Sequence, residues 1–123
     1  PCAMGAILNS NTIPRLKAKV VAGGANNQLD DIKLHGEMLQ ERGIVYAPDY
    51  VINAGGLINV YAEIKHMPRE KALRDAESIF HTLKRIFSLG KEHGITEAQA
   101  ANLVAEQRIR QIGKLAAFQR GGL

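Results

Sequence analysis

Two turns rich in glycine and asparagine follow two apolar runs in this chain. Lys19-Val20-Val21-Ala22 ends in Gly23-Gly24-Ala25-Asn26-Asn27, and Ile44-Val45-Tyr46-Ala47 passes through Pro48-Asp49 into Asn53-Ala54-Gly55-Gly56. A carboxamide both donates and accepts, so Asn26, Asn27 and Asn53 suit the recognition of an amide, a hydroxyl or a carboxylate. The same residue type also serves plain turn and cap chemistry, because asparagine tolerates left-handed backbone. Sequence alone does not decide which of Asn26 and Asn27 points inward. Gly55-Gly56 weakens a helix start, which implies close backbone approach there, whether of a ligand or of a packed strand.

These turns need elements to hold them. The β-branched runs read as buried strands, each followed by a helical period: Asp30 or Asp31 caps a helix through Arg42 with Leu34 and Met38 on one face and Gly43 as its stop. Asn9-Ser10-Asn11-Thr12 offers caps for one short helix ahead of the first strand. Leu57, Val60 with Tyr61, and Ile64 are spaced for a helix opened by Asn53. Strand, helix, strand, helix argues for parallel pairing and an α/β class. Ligands of such sheets lie outside the carboxyl ends of the strands. Both asparagine turns stand there.

The second half is helical. Ala72, Ala76, Ile79, Leu83 and Ile86 repeat by four and three, with Lys71 and Asp75 one turn apart on the polar side, and Glu70 and Arg74 likewise. Gly94 is placed to end this helix. Thr96-Glu97-Ala98-Gln99 reads as a capping box with Ile95 stapling against Ala100, and a second amphipathic helix follows through Leu115.

With 123 residues, 46% of them hydrophobic, the chain can bury one small core. Two strands alone do not make a covered parallel sheet, so a fragment is expected, with the rest of the sheet upstream. No apolar run approaches membrane-spanning length. One cysteine excludes an internal disulfide and fits a reducing, cytoplasmic setting. The net charge is +4 and the pI about 9.4. Arg108, Arg110, Lys114 and Arg120 are interleaved with Ile109, Ile112 and Leu115 on a helix and aromatics are only 5%, so a solvated helix face is preferred to a nucleic-acid patch. His35, His66, His81 and His93 show no ligand spacing and read as solvated, with no metal site. Cys2 lacks any local nucleophile signature.

Three blocks in order, Pro1-Cys2-Ala3-Met4-Gly5-Ala6-Ile7-Leu8-Asn9, Ala22 to Leu29, and Gly43 to Val60, resemble the C-terminal part of the Glu/Leu/Phe/Val amino acid dehydrogenases, most of all the leucine-specific branch. The resemblance covers nearly the whole chain and weakens after about Gly113. It implies that residues 1–66 form the C-terminal half of a Rossmann-like, doubly wound NAD-binding domain. Residues 67–118 would be a helical extension of two long amphipathic helices on the same domain, and 119–123 a frayed tail. Asn26 and Asn53 would contact NAD, together with the Cys2-Ala3 backbone segment. Leu57 and Val60 would line the pocket for the substrate side chain.

An aliphatic pair implies an apolar amino acid, since a side-chain carboxylate would need polar or cationic partners. The family usually carries valine where this chain has Leu57, which bears on the preferred branched-chain substrate. By the same resemblance, the glycine-rich dinucleotide fingerprint and the catalytic lysine and aspartate belong to the upstream parts of the enzyme. No residue of this chain is assigned a catalytic role. A homo-oligomer is expected, either long helix being free to dock on another subunit. The alternatives are phenylalanine or valine dehydrogenase, or a non-catalytic helical interaction module.

Overall fold

A computed structural model describes residues 4–120, with side chains described as far as residue 113. In chain order, a single 3-10 turn (Ile13–Arg15) precedes β1 (Val20–Val21), α1 (Ile32–Glu41), β2 (Val45–Tyr46), α2 (Asp49–Ile52), α3 (Ala54–Ile64), α4 (Arg69–His93) and α5 (Glu97–Arg120). The two strands are parallel, with Val20 opposite Val45 and Val21 opposite Tyr46. Val45 N donates to Lys19 O and Ala47 N to Val21 O, so pairing reaches the flanks of both apolar runs. A third extended segment, not expected from sequence, adds a parallel bridge between Leu8 and Leu29.

Asp31 caps α1 by accepting from Leu34 N at 2.7 Å, and Gly43, at φ +64°, takes the left-handed conformation that ends it. Of the Leu34 and Met38 face the sequence suggests, Met38 packs against the core but Leu34 does not. His35, Gly36 and Leu39 are buried, while Leu34 is exposed. The choice follows from Gly36, where a Cβ would meet Thr96 Oγ1 at 3.4 Å, so that the start of α5 lies close against α1. His35, expected to be solvated, is instead enclosed. Its Nδ1 accepts from Asp31 N at 2.8 Å and its Nε2 lies 3.1 Å from Ser10 Oγ. Two specific hydrogen bonds offset the loss of water around the ring.

The helical hairpin follows its local signals. Gly94 closes α4 at φ +63°. Gln99 N donates to Thr96 Oγ1 at 3.3 Å and Thr96 N donates to Gln99 Oε1 at 3.0 Å, a reciprocal capping box. Ile95 packs with Ala100, as a staple requires. Lys71 and Asp75 pair at 3.0 Å, whereas Glu70 and Arg74 form no ion pair among the described residues. Helix α5 runs to Arg120, two residues into the segment expected to fray, and residues 121–123 lie outside the described part.

One core joins Leu8, Ile13, Val21, Leu39, Ile44 and Tyr46 beneath the strands, and Ala98 of α5 belongs to it. A second gathers Ile86, Ala100 and Ala101 in the hairpin, with Val51 of α2 against it. The extension is thus packed onto the strand unit at two places. No described helix is long and apolar enough to cross a membrane.

Candidate functional site

The ends of β1 and β2 meet through their asparagines. Asn53 stands at the junction of α2 and α3, at φ −88° and ψ 0°, so the helical path begins before it, at Asp49. From there Asn53 Nδ2 donates to Ala25 O at 3.0 Å and to Asn26 Oδ1 at 3.1 Å. A backbone carbonyl can only accept, which fixes which end of the Asn53 amide faces β1 and, in turn, which end of Asn26 faces Asn53. Asn26 Nδ2 and Asn53 Oδ1 then have no partner among the described residues. The pair thus keeps one donor group and one acceptor group available, the two kinds that reading a carboxamide requires.

Asn27 has a different task. Its φ of +51° is left-handed, and its carbonyl accepts from Ala6 N at 2.7 Å. The passing strand comes so near that a Cβ on Gly5 would stand 2.9 Å from Asn27 O. It is therefore Asn26, and not Asn27, whose side chain joins Asn53.

Two residues that the sequence reading did not single out hold this arrangement. Gln28 is fully buried, and its Nε2 donates to Gly23 O at 3.0 Å and to Ala25 O at 2.8 Å, pinning the turn after β1 from within. Asp49, 8% exposed, accepts from Gln28 N at 2.7 Å on Oδ2 and from Tyr50 N at 2.6 Å on Oδ1. In sequence Asp49 is indistinguishable from turn chemistry after a proline, and Gln28 from a solvated loop residue.

Beside the pair opens a cavity of about 380 Å³, lined by Asn26, Asn27, Asp49 and Tyr50 on its polar side and by Leu29, Ile32, Tyr46 and Ala98. Burial, reinforced by the nearby Asp49 carboxylate, pushes the Tyr46 hydroxyl far above the ordinary tyrosine range, and the same two causes raise Tyr50. Both phenols stay protonated as donors. Tyr50 Oη lies 2.9 Å from Asn102 Oδ1, which links α2 to α5.

Leu57 and Val60 stand apart from this cavity. They are 74% and 51% exposed on the outer face of α3, together with Tyr61 and Ile64. This apolar stripe points away from the described core, while Ile58 and Ala62 turn toward α4. Tight packing of a strand does not explain Gly55-Gly56, because a Cβ on either glycine would meet nothing within 4 Å. Cys2 and Ala3 lie outside the described residues. No group of three or more His, Cys, Asp or Glu among the described residues could hold a metal ion.

The family model for Glutamate/Leucine/Phenylalanine/Valine dehydrogenase matches residues 1–120. The chain belongs to this dehydrogenase family. Among its relatives, the L-tryptophan dehydrogenase of Nostoc punctiforme is 55% identical over 109 residues, covering 89% of this chain and 31% of that protein. The leucine dehydrogenase of Thermoactinomyces intermedius is 54% identical over 114 residues, with 93% and 31% covered. The phenylalanine dehydrogenase of Lysinibacillus sphaericus is 45% identical over 122 residues, with 98% and 32% covered. The crystal structure of the Nostoc punctiforme L-tryptophan dehydrogenase superposes with a TM-score of 0.87 at 54% identity, over 90% of this chain and 34% of that one. The dehydrogenase family chain described here spans about a third of the length of these relatives.

Proposed function

We propose that this chain is the cofactor-binding and pocket-wall portion of an NAD-dependent dehydrogenase that oxidatively deaminates an apolar L-amino acid, leucine or another branched-chain one, to its 2-oxo acid and ammonia. The observation that carries this reading is the Asn26–Asn53 pair. Asn26, through its Nδ2, and Asn53, through its Oδ1, would hold the carboxamide of a nicotinamide ring, which needs both a donor and an acceptor. The bound cofactor would supply the hydride-accepting chemistry for oxidation at the α-carbon of the amino acid. The residues of this chain orient and enclose, and the proton-handling groups belong to the rest of the enzyme.

In this reading residues 1–66 are the C-terminal half of a doubly wound, Rossmann-like domain and residues 67–118 its helical extension. An apolar cleft of about 330 Å³ runs beside β1, lined by Leu8, Leu16, Val20 and Val21, with Val20 58% exposed. A further strand of the sheet would cover it. A cytoplasmic homo-oligomer is proposed for the whole enzyme.

Leu57 and Val60 are proposed to meet the substrate side chain from the open face of α3. A second reading, with an aromatic substrate, is favoured by the empty space around Gly55 and Gly56 and by relatives named for tryptophan and phenylalanine. The test is the rate of NADH formation by the full-length enzyme with leucine, valine, phenylalanine, tryptophan and glutamate. Highest efficiency with leucine or valine supports the first reading, and an aromatic optimum the second. Turnover of glutamate alone refutes both.

A further inference from the structure

Asn53 belongs to a closed ring of hydrogen bonds, and Asn26 is attached to that ring through Asn53 Nδ2. Starting from Asp49, the Oδ2 atom accepts from Gln28 N at 2.7 Å. The Gln28 side chain returns through Nε2 to Ala25 O at 2.8 Å. Ala25 O also accepts from Asn53 Nδ2 at 3.0 Å, and Asn53 N donates to Asp49 O at 2.9 Å. No basic side chain pairs with Asp49 among the described residues, so backbone N–H dipoles compensate this largely buried carboxylate. Burial of an unpaired charge is costly, and a neutral side chain would be the easier choice if the position only started a four-residue helix. What a carboxylate does that an amide does not is accept on both oxygens at once, from Gln28 N and Tyr50 N.

We infer that Asp49 is the positioning residue of the site: its carboxylate sets the distance between the turns after β1 and β2, and thereby the separation and aim of Asn26 and Asn53. The inference rests on the dehydrogenase reading for its kinetic consequence, though not for its structural one. Replacing Asp49 by Asn leaves one of the two N–H donors facing an amide NH₂, which lets the Gln28 turn shift relative to Asn53.

The test uses the full-length enzyme and the variants D49N, N53A and D49N/N53A, with D49E as the second probe should D49N fail to fold. In D49N, kcat/KM for NAD should fall about tenfold or more. In the N53A background the same substitution should have much less effect, because its influence passes through Asn53. The independent readout is the pair of side-chain amide signals of Asn26 and Asn53 in ¹⁵N-asparagine-labelled protein, which should move in D49N and partly return in D49E, where the charge is kept. Equal losses in both backgrounds, or unmoved asparagine signals, overturn the positioning role and leave Asp49 as a helix-start residue. An enzyme without dinucleotide turnover, in which the amide signals nevertheless respond to D49N, would remove the dehydrogenase reading and keep the positioning one.

Discussion

Asn53 Nδ2 donates to Asn26 Oδ1 at 3.1 Å, a contact across 27 residues of sequence that joins the end of β2 to the end of β1. The two partners are not equivalent. Asn53 also holds Ala25 O, whereas Asn26 makes only the one bond among the described residues.

That asymmetry separates two substitutions. Asn26→Ala in the full-length enzyme should lower kcat/KM by roughly tenfold to a thousandfold with little change in stability, on the order of 1.4 to 4 kcal/mol of transition-state binding. Asn53→Ala should lower both, because it also removes one of the two side-chain donors to the Ala25 carbonyl, leaving only Gln28 Nε2. Steady-state kinetics and urea unfolding of the two variants distinguish them. Unchanged kinetics in Asn26→Ala would reduce the pair to turn chemistry.

Leu57 contributes little to the described core, since 74% of it is exposed. Its replacement by Ala should therefore change the unfolding free energy by no more than about 0.5 kcal/mol. Substrate preference should still move from branched aliphatic toward aromatic amino acids, each methylene of fit being worth about 1–3 kcal/mol. The ratios of catalytic efficiency for leucine, valine, phenylalanine and glutamate measure this. Equal losses for all four would remove Leu57 from the pocket.

Thr96 is fully buried at the head of α5, where it both caps the helix and touches the Gly36 surface of α1. Thr96→Ala should cost about 0.5–2 kcal/mol of unfolding free energy, and Thr96→Ser should recover most of it. Chemical denaturation of both variants gives the comparison.

Glu97 links stability to pH. Burial, partly opposed by backbone hydrogen bonds from Glu97 itself and from Tyr46, raises its carboxyl above the ordinary value of 4.5. The folded state thus binds this proton more tightly than the unfolded one. The resulting stabilisation is fully present below 4.5 and is lost as pH rises through the raised folded value. Glu97→Gln should flatten the fall in denaturation midpoint over that window. An identical slope in wild type and variant would refute the linkage.

The features legible in sequence are those whose cause is local. The Gly94 stop, the capping box at Thr96 and Gln99 and the Asp31 cap all depend on neighbours within a few residues. What sequence did not reveal depends on partners far away. His35 is enclosed because Ser10, 25 residues distant, reaches its ring. Asp49 and Gln28 acquire their roles only when the two turns are brought together. The stripe from Leu57 to Ile64 has the right helical period, but period alone does not say which side of a helix the rest of the molecule covers.

The outward aim of that stripe has an evolutionary consequence. In the proposed enzyme, the asparagines that would hold the cofactor are tied to a hydrogen-bonded ring, Asn53 within it and Asn26 bonded to Asn53, while the side chains that would face the substrate hang from a helix whose described packing does not need them. A lineage can therefore exchange one side chain on α3 for another and explore new substrates without first acquiring compensating mutations in the core. In that enzyme, substrate choice would be free to change on a surface that the described packing does not constrain, with the cofactor contacts held beneath it.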